Sequence, residues 1–405
     1  MTSTTAQQGS DPLLAADPWL WWRRQMPVTE KWAYLDHAAV GPLSRPAADA
    51  LRTYAAQAET EGDTVWPQWA RRVETLRGQF AELVGTASEE ICLVPNTSTG
   101  ISLVAEGFPW KPGDSVVIPD GEFPSNLFPW QNQGSRGVQL RVVPRRDGRV
   151  LADDLFAHVD DSTRLIALSW VGYGSGFRAD LDEIVRRAHA RGILVFVDAI
   201  QGLGVFDLDL GHTDVDFLAA DGHKWMLGPE GLGVAVIRKR HLDTLRCATV
   251  GWNSVRNTFN YAQPEFTLRP SAARFEPGSA NMPGSAALSA SLGIILAIRR
   301  AHGPKAIGDR VVSLASGLTD RLAAIGVSTR MPDADAQRSG IVTFEVPDRD
   351  PAEVRRRALD QGCVVSCRDG GVRAGIHAYN DSSDLQRLVD AVASTPTESS
   401  PGRSP

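Results

Sequence analysis

The sequence predicts an α/β protein with a largely parallel sheet, followed by a smaller α+β C-terminal domain. Three observations carry this. Short β-rich runs alternate with helical patterns from about Glu90 to Arg238. Several of those runs lack polar alternation, as strands buried on both faces do. After Arg240 the pattern changes to a loop-rich stretch, a long helical segment, and then mixed strands and helices.

Taken in order, residues 1–16 and 394–405 are rich in polar and small residues and read as disordered tails. Residues 17–45 form a docking segment whose Trp19, Trp21 and Trp22 pack rather than bind ligand. The large domain spans 46–285. Its strand runs are "EICLVP", "DSVVIP", "VQLRVVP", "RLIALSW", "ILVFVDA", "VDFLAA" and "GLGVAVI". Between two of them, "DLDEIVRRAHARG" is an amphipathic helix, capped by Asp180, apolar along Leu181, Ile184, Val185 and Ala188, and ended by Gly192. The small domain, 286–393, holds "SAALSASLGIILAIRRAHG", "GIVTFEVP", "DPAEVRRRALDQG", "CVVSC" and "SSDLQRLVDAVA".

At 405 residues and 42% hydrophobic content the chain can bury a large core. A net charge of −6 with no long basic run argues against nucleic acid. No apolar run reads as membrane-spanning and no secretory signal opens the chain, so a soluble, cytoplasmic protein is expected. Cys92, Cys247, Cys363 and Cys367 are too scattered for a disulfide framework, and no zinc spacing accompanies them; no metal is expected.

Ligands of open α/β sheets bind outside the carboxyl ends of strands. Three polar positions fall at such ends. Asp198 ends "ILVFVD" with Gln201 three residues on, "NTSTG" (96–100) follows "EICLVP", and His223 and Lys224 follow "VDFLAADG". A single such carboxylate is often a helix cap, and a lone lysine in a loop is usually surface. Three together have a joint chemical reading. "NTSTG" offers hydroxyls and backbone N–H groups at a helix start, a phosphate cradle. Asp198 in a partly dry site needs a cation to stay ionised. Lys224 is an imine-forming amine. Phosphate, ring nitrogen and aldehyde are the handles of pyridoxal 5′-phosphate.

The motifs "NTSTG", "VDAIQ", "GHKW…GPEGLG" and "RFEPGSAN", in that order, resemble the class V aminotransferase family of pyridoxal-phosphate enzymes. That family includes cysteine desulfurases, selenocysteine lyases, isopenicillin N epimerase-like proteins and kynureninases. The resemblance runs from "YLDHAAVGPL" to "VRAGIHAYND". It implies fold type I: a seven-stranded, mostly parallel sheet with helices on both faces, a small domain, and a homodimer with shared active sites. It also implies Lys224 as the Schiff-base lysine, Asp198 on the pyridine nitrogen and Gln201 on the phenolic oxygen. Thr97, Ser98 and His223 fall where the family binds phosphate. Ser279 matches a residue reaching the neighbouring subunit's phosphate. Arg373 matches the arginine for the substrate α-carboxylate, with Ala38 and Ala39 beside it.

Four departures from the desulfurase pattern matter. Phe123 in "EFPSN" stands where a histidine stacks on the ring; phenylalanine can stack but cannot move a proton. Trp170 replaces a substrate-holding asparagine. Asp221 replaces a phosphate-binding serine and should turn away or bond a neighbour. Desulfurases carry a nucleophilic cysteine on a mobile loop; here the loop is short. Cys363 reads as a buried strand residue, and Cys367, beside Arg368, could have a lowered pKa. Arg368 itself reads as surface charge.

These residues predict an enzyme acting on an amino acid, aminotransferase-like, with C–S or β-lyase, desulfurase or epimerase chemistry as alternatives that use the same residues. A non-catalytic cofactor-binding relative is the alternative from another class, and the intact Lys224, Asp198 and Gln201 count against it. A nucleotide-binding protein or serine hydrolase lacks its motif: there is no Walker loop and no G-x-S-x-G.

Overall fold

The computed structural model describes residues 11–394; the remainder of both expected tails, 1–10 and 395–405, lies outside the described residues. Part of the expected N-terminal tail is helical: Asp11 caps Pro12–Ala16. Asp17 caps the next helix, Pro18–Arg23, which buries Trp21 and Trp22, with Trp22 edge-on to His377 at 4.8 Å between ring centroids. A short strand, β1 (Ala33–Tyr34), follows.

All seven predicted runs form strands of one sheet: β2 (Ile91–Val94), β3 (Ser115–Pro119), β4 (Gln139–Val143), β5 (Thr163–Ser169), β6 (Leu194–Asp198), β7 (Phe217–Asp221) and β8 (Gly233–Ile237). Their order is β2-β8-β7-β6-β5-β3-β4. Only β8 runs antiparallel, to both of its neighbours. That single reversal has a consequence for the site. Because β8 opposes both β2 and β7, those two run the same way and their carboxyl ends meet one edge. The central strands are Val, Ile, Leu and Ala runs buried on both faces.

The helix Leu181–His189 forms as its sequence dictates. Asp180 accepts from the Glu183 N–H at 3.0 Å, Leu181, Ile184, Val185 and Ala188 are buried, and Gly192 takes a positive φ of 70° to turn into β6. The long segment after the loop is one helix, Met282–His302. Contrary to the expectation that no run is long and apolar enough to span a membrane, this one qualifies by length and hydropathy. Its apolar surface is instead covered by the helices Arg45–Thr60 and Trp66–Leu83. Its side chains join the core of the large sheet, so the expected boundary at 285/286 falls inside a helix of that core.

The small domain is a four-stranded antiparallel sheet, β12-β13-β10-β9, built from β9 (Ser328–Thr329), β10 (Ile341–Glu345), β12 (Ser366–Arg368) and β13 (Gly371–Gly375). Helices Ala306–Ala324, Pro351–Asp360 and Ser382–Ala393 cover it, with a core of its own. A further strand, β11 (Cys363–Val364), pairs in parallel with β1. The N-terminal segment is thereby stitched to the small domain. Cys363 is buried there, as its alternation predicts.

Candidate active site

Ser169 and Asp198 stand side by side at the carboxyl edge, and β7 runs two residues past Ala219, the partner of Asp198, to end at Asp221. The helix after β2, Thr97–Gly107, opens on the same edge, where Asn96 Oδ1 accepts from the Thr99 N–H at 2.8 Å. Thr97 Oγ1 accepts from the Asp221 N–H at 2.9 Å and so ties this helix to β7. Ser98 Oγ donates to Ser125 Oγ at 2.7 Å. The first N–H groups of the helix, at its positive end, face the cleft edge.

Lys224 follows β7 by three residues. Gly41 packs on its carbonyl, where a Cβ would collide, and the Gly41 N–H donates to His223 O at 2.6 Å. Nζ lies 5.7 Å from the Phe123 ring centroid, and Phe123 meets Tyr173 edge-on at 5.4 Å. Burial pulls the lysine ammonium down from its ordinary pKa, Asp198 opposes that, and Arg373 adds to it.

Asp198 is buried, and the Ile200 N–H, at 3.0 Å, is its one hydrogen-bond donor among the described residues. Burial raises its carboxyl; Ile200 and Lys224 oppose the rise and Glu122 adds to it. Gln201 is held at both ends. Its amide donates to Ala38 O at 3.0 Å, and its Oε1 accepts from the Trp225 indole N–H at 2.7 Å. Ala39 N–H closes the Ala38 turn onto Asp36 O at 2.9 Å.

Arg373 on β13 is buried at the base of the cleft. It donates to Tyr173 O at 2.8 Å and Ser366 Oγ at 3.2 Å, and its Nη2 lies 3.5 Å from Asp36. Ser366 also donates to Asp36 at 2.7 Å. Three of the five guanidinium N–H bonds are thus directed to protein, and two remain for a carboxylate.

These groups fit pyridoxal phosphate. His223 Nδ1 sits 3.0 Å from Asp221 Oδ1, yet neither buried atom has an aligned hydrogen bond. Lys224 has no carboxylate within ion-pair distance among the described residues. Together with the singly bonded Asp198, the cleft edge carries polar groups whose hydrogen-bonding capacity the protein leaves open.

The sequence-predicted Ala38, Ala39, Thr97, Ser98, Phe123, Asp198, Gln201, His223, Lys224 and Arg373 are brought to one cleft. Ser279 is not: it is exposed, lining a cavity of about 180 Å³ with Trp66, Trp252 and Phe259. Two expectations are corrected. Trp170 is not a pocket wall: Ser169 turns its hydroxyl to Glu122, so the next side chain points the other way, into the core against Phe206. Cys367 likewise alternates away from Ser366, and its thiol donates to Pro351 O at 3.2 Å. Burial raises its pKa, and Arg355 and Arg368 do not reverse this.

Sequence reasoning missed Glu122, Tyr173, Asp36, Ser366 and Trp225. Glu122 accepts from Ser169 N–H at 2.8 Å and Asn126 at 3.1 Å, and burial raises its carboxyl. The alternation of "VVSCRD" could have put Ser366 and Arg368 on one face. The others depend on contacts across 24 residues or more, or on a backbone carbonyl.

The model of the aminotransferase class-V family matches residues 33–388. The chain belongs to that family of pyridoxal-phosphate enzymes. A class V relative, the probable cysteine desulfurase of Methanothermobacter thermautotrophicus, is 30% identical over 398 residues, covering 91% of this chain and 96% of that protein. Among solved structures, the apo cysteine desulfurase of Thermococcus onnurineus superposes with a TM-score of 0.82 at 26% identity, covering 92% and 96% of the two chains. The cystine C–S lyase C-DES, in complex with cysteine persulfide, gives 0.84 at 24% identity, covering 91% and 99%, a likeness of fold.

Proposed function

We propose that this class V enzyme is a C–S lyase, which breaks the Cβ–S bond of a cysteine-derived amino acid and releases the sulfur as a thiol or sulfide. The observation that carries the reading is the orientation of Cys367. In the short β12–β13 hairpin its thiol faces Pro351, away from the cleft, while Cys92 and Cys363 are buried strand residues and Cys247 lies beside Arg274. Among the described residues no thiol is placed to take sulfur from a substrate. Relatives named for cysteine desulfuration support sulfur chemistry over the aminotransferase-like assignment that the sequence favours.

When bound, pyridoxal phosphate supplies an electron sink for the pair left at the substrate's α-carbon. The residues divide the remaining work. Arg373 takes the α-carboxylate on its two open N–H bonds. Asp198 holds a proton at the ring nitrogen. The Gln201 amide, locked by Ala38 and Trp225, turns an N–H toward the phenolic oxygen. Phe123 would lie over the ring and cannot carry a proton, which leaves Lys224 to remove the α-proton and to return one to the departing sulfur. The balance is RS–CH2–CH(NH3⁺)–COO⁻ + H2O → RSH + pyruvate + NH4⁺. Ser279, exposed and away from this cleft, suits the site of a second copy in a homodimer.

The test is an absorption and product assay of the cofactor-loaded protein with L-cysteine, L-cystine and S-alkylcysteines, without a keto-acid acceptor. Many equivalents of pyruvate and thiol per site support the lyase. One keto acid per site, with conversion of the cofactor to its amine form, would instead establish transamination.

A further inference from the structure

The β12–β13 hairpin carries a second arginine that the reaction above does not use. Its register pairs Ser366 with Arg373 and Arg368 with Gly371. Side chains alternate along a strand, so Ser366 and Arg368 share a face. Ser366 identifies that face: its hydroxyl reaches Asp36 and Arg373 at the base of the cleft. Arg368 therefore stands on the cleft side, offset from Arg373 by two residues, about 7 Å along the strand. Asp369 and Gly370, with φ of 49° and 77°, make a two-residue turn that fixes this offset.

Arg368 is exposed, and its one hydrogen bond among the described residues goes to Cys367 O at 2.7 Å. The acid next to it, Asp369, lies 3.8 Å from Arg145 instead. The Arg368 charge acts on Lys224, Arg373 and Asp36, all groups of the cleft. An arginine on plain outer surface would not face all three. The mouth of the cleft thus presents an unpaired guanidinium above the one that takes the α-carboxylate.

We infer that Arg368 binds a second anionic group of the substrate, and that the substrate class is an S-substituted cysteine whose sulfur substituent ends in a carboxylate or sulfonate. The sulfur part rests on the lyase reading; the distal anion does not. A planar fork facing a distal carboxylate gives charge-assisted hydrogen bonds that a neutral substituent cannot make. The distal group departs with the thiol, so Arg368 adds to binding and selectivity and takes no part in proton transfer.

Binding of L-2-aminoadipate and L-norleucine to the cofactor-loaded protein tests the anion site without any C–S cleavage, because neither ligand has a β-leaving group. They differ at the chain end, carboxylate against methyl. Arg368→Gln should weaken aminoadipate about tenfold and leave norleucine within about twofold. Arg368→Glu should weaken aminoadipate further. Equal loss for both ligands, or no loss for either, overturns the assignment. Thiol release from S-carboxymethylcysteine against S-ethylcysteine then tests the substrate class. Selective aminoadipate binding without release from either conjugate keeps the anion site and removes the lyase reading.

Discussion

The Trp225 indole N–H donates to Gln201 Oε1 at 2.7 Å, and the Gln201 amide donates to Ala38 O at 3.0 Å. These two bonds fix which way the amide faces. Its second N–H has no acceptor among the described residues and remains available as a donor. Trp225 is itself pinned, since His377 Nε2 lies 3.0 Å from its carbonyl.

Trp225→Phe keeps a ring in place and removes the donor. The buried Gln201 oxygen then lacks a partner, at a cost of about 1–3 kcal/mol. Cofactor affinity should fall about tenfold, and the pH midpoint of the visible cofactor band should rise as a donor to the phenolate becomes less ordered. Spectrophotometric titration of both forms reads this. A shift in thermal midpoint alone, with the band's midpoint unmoved, would make Trp225 a packing residue only.

Lys224→Ala should abolish covalent, borohydride-fixable attachment of the cofactor, while Thr97, Ser98 and His223 still allow reversible binding. Mass spectrometry after reduction, with peptide mapping, checks it. An adduct retained at another lysine would displace Lys224 from its role.

Cys367→Ala should leave turnover within about twofold and cost at most about 1 kcal/mol of stability, since a half-buried thiol bonded to a carbonyl is lost. Loss of activity beyond about a hundredfold, with the fold intact, would restore a protein thiol to the chemistry.

Acid stability should centre on Asp216, at the opposite end of the sheet. It is buried, with His241 Nε2 at 2.7 Å, His189 Nε2 at 2.8 Å, Arg240 at 2.6 Å and the Val195 N–H at 2.9 Å. Burial alone would raise its carboxyl; the hydrogen bonds outweigh it and hold the group well below the usual carboxylate range. A depressed native pKa contributes stability that is fully present above the unfolded value of about 4 and is lost as pH falls below it. Asp216→Asn should cost about 3 kcal/mol at neutral pH and reduce the further loss between about pH 5 and pH 3. Urea unfolding at both ends of that range measures it; an unchanged acid slope would locate the titration elsewhere.

The sequence alone determined the seven strands, the capped helix and the three polar strand ends. These are local or periodic signals: an apolar run reads as a buried strand, and Asp180 or Asn96 caps the helix it precedes. Motif order also carried the family and the chemistry of Lys224, Asp198 and Arg373. Tertiary structure decided what depends on direction and on distant partners. Cys363 could be read because the alternation of its short strand puts it on the buried side. Cys367 could not, because which face of its strand meets the cleft and which the helix behind it depends on distant partners, and Ser366 bonding Asp36, 330 residues away, shows that face. The same placement of Ser366 turned Arg368 toward the cleft, while the separate bond of Ser169 to Glu122 turned Trp170 inward. Alternation is written in the sequence, but which face meets the ligand is fixed only when the two domains close on one another.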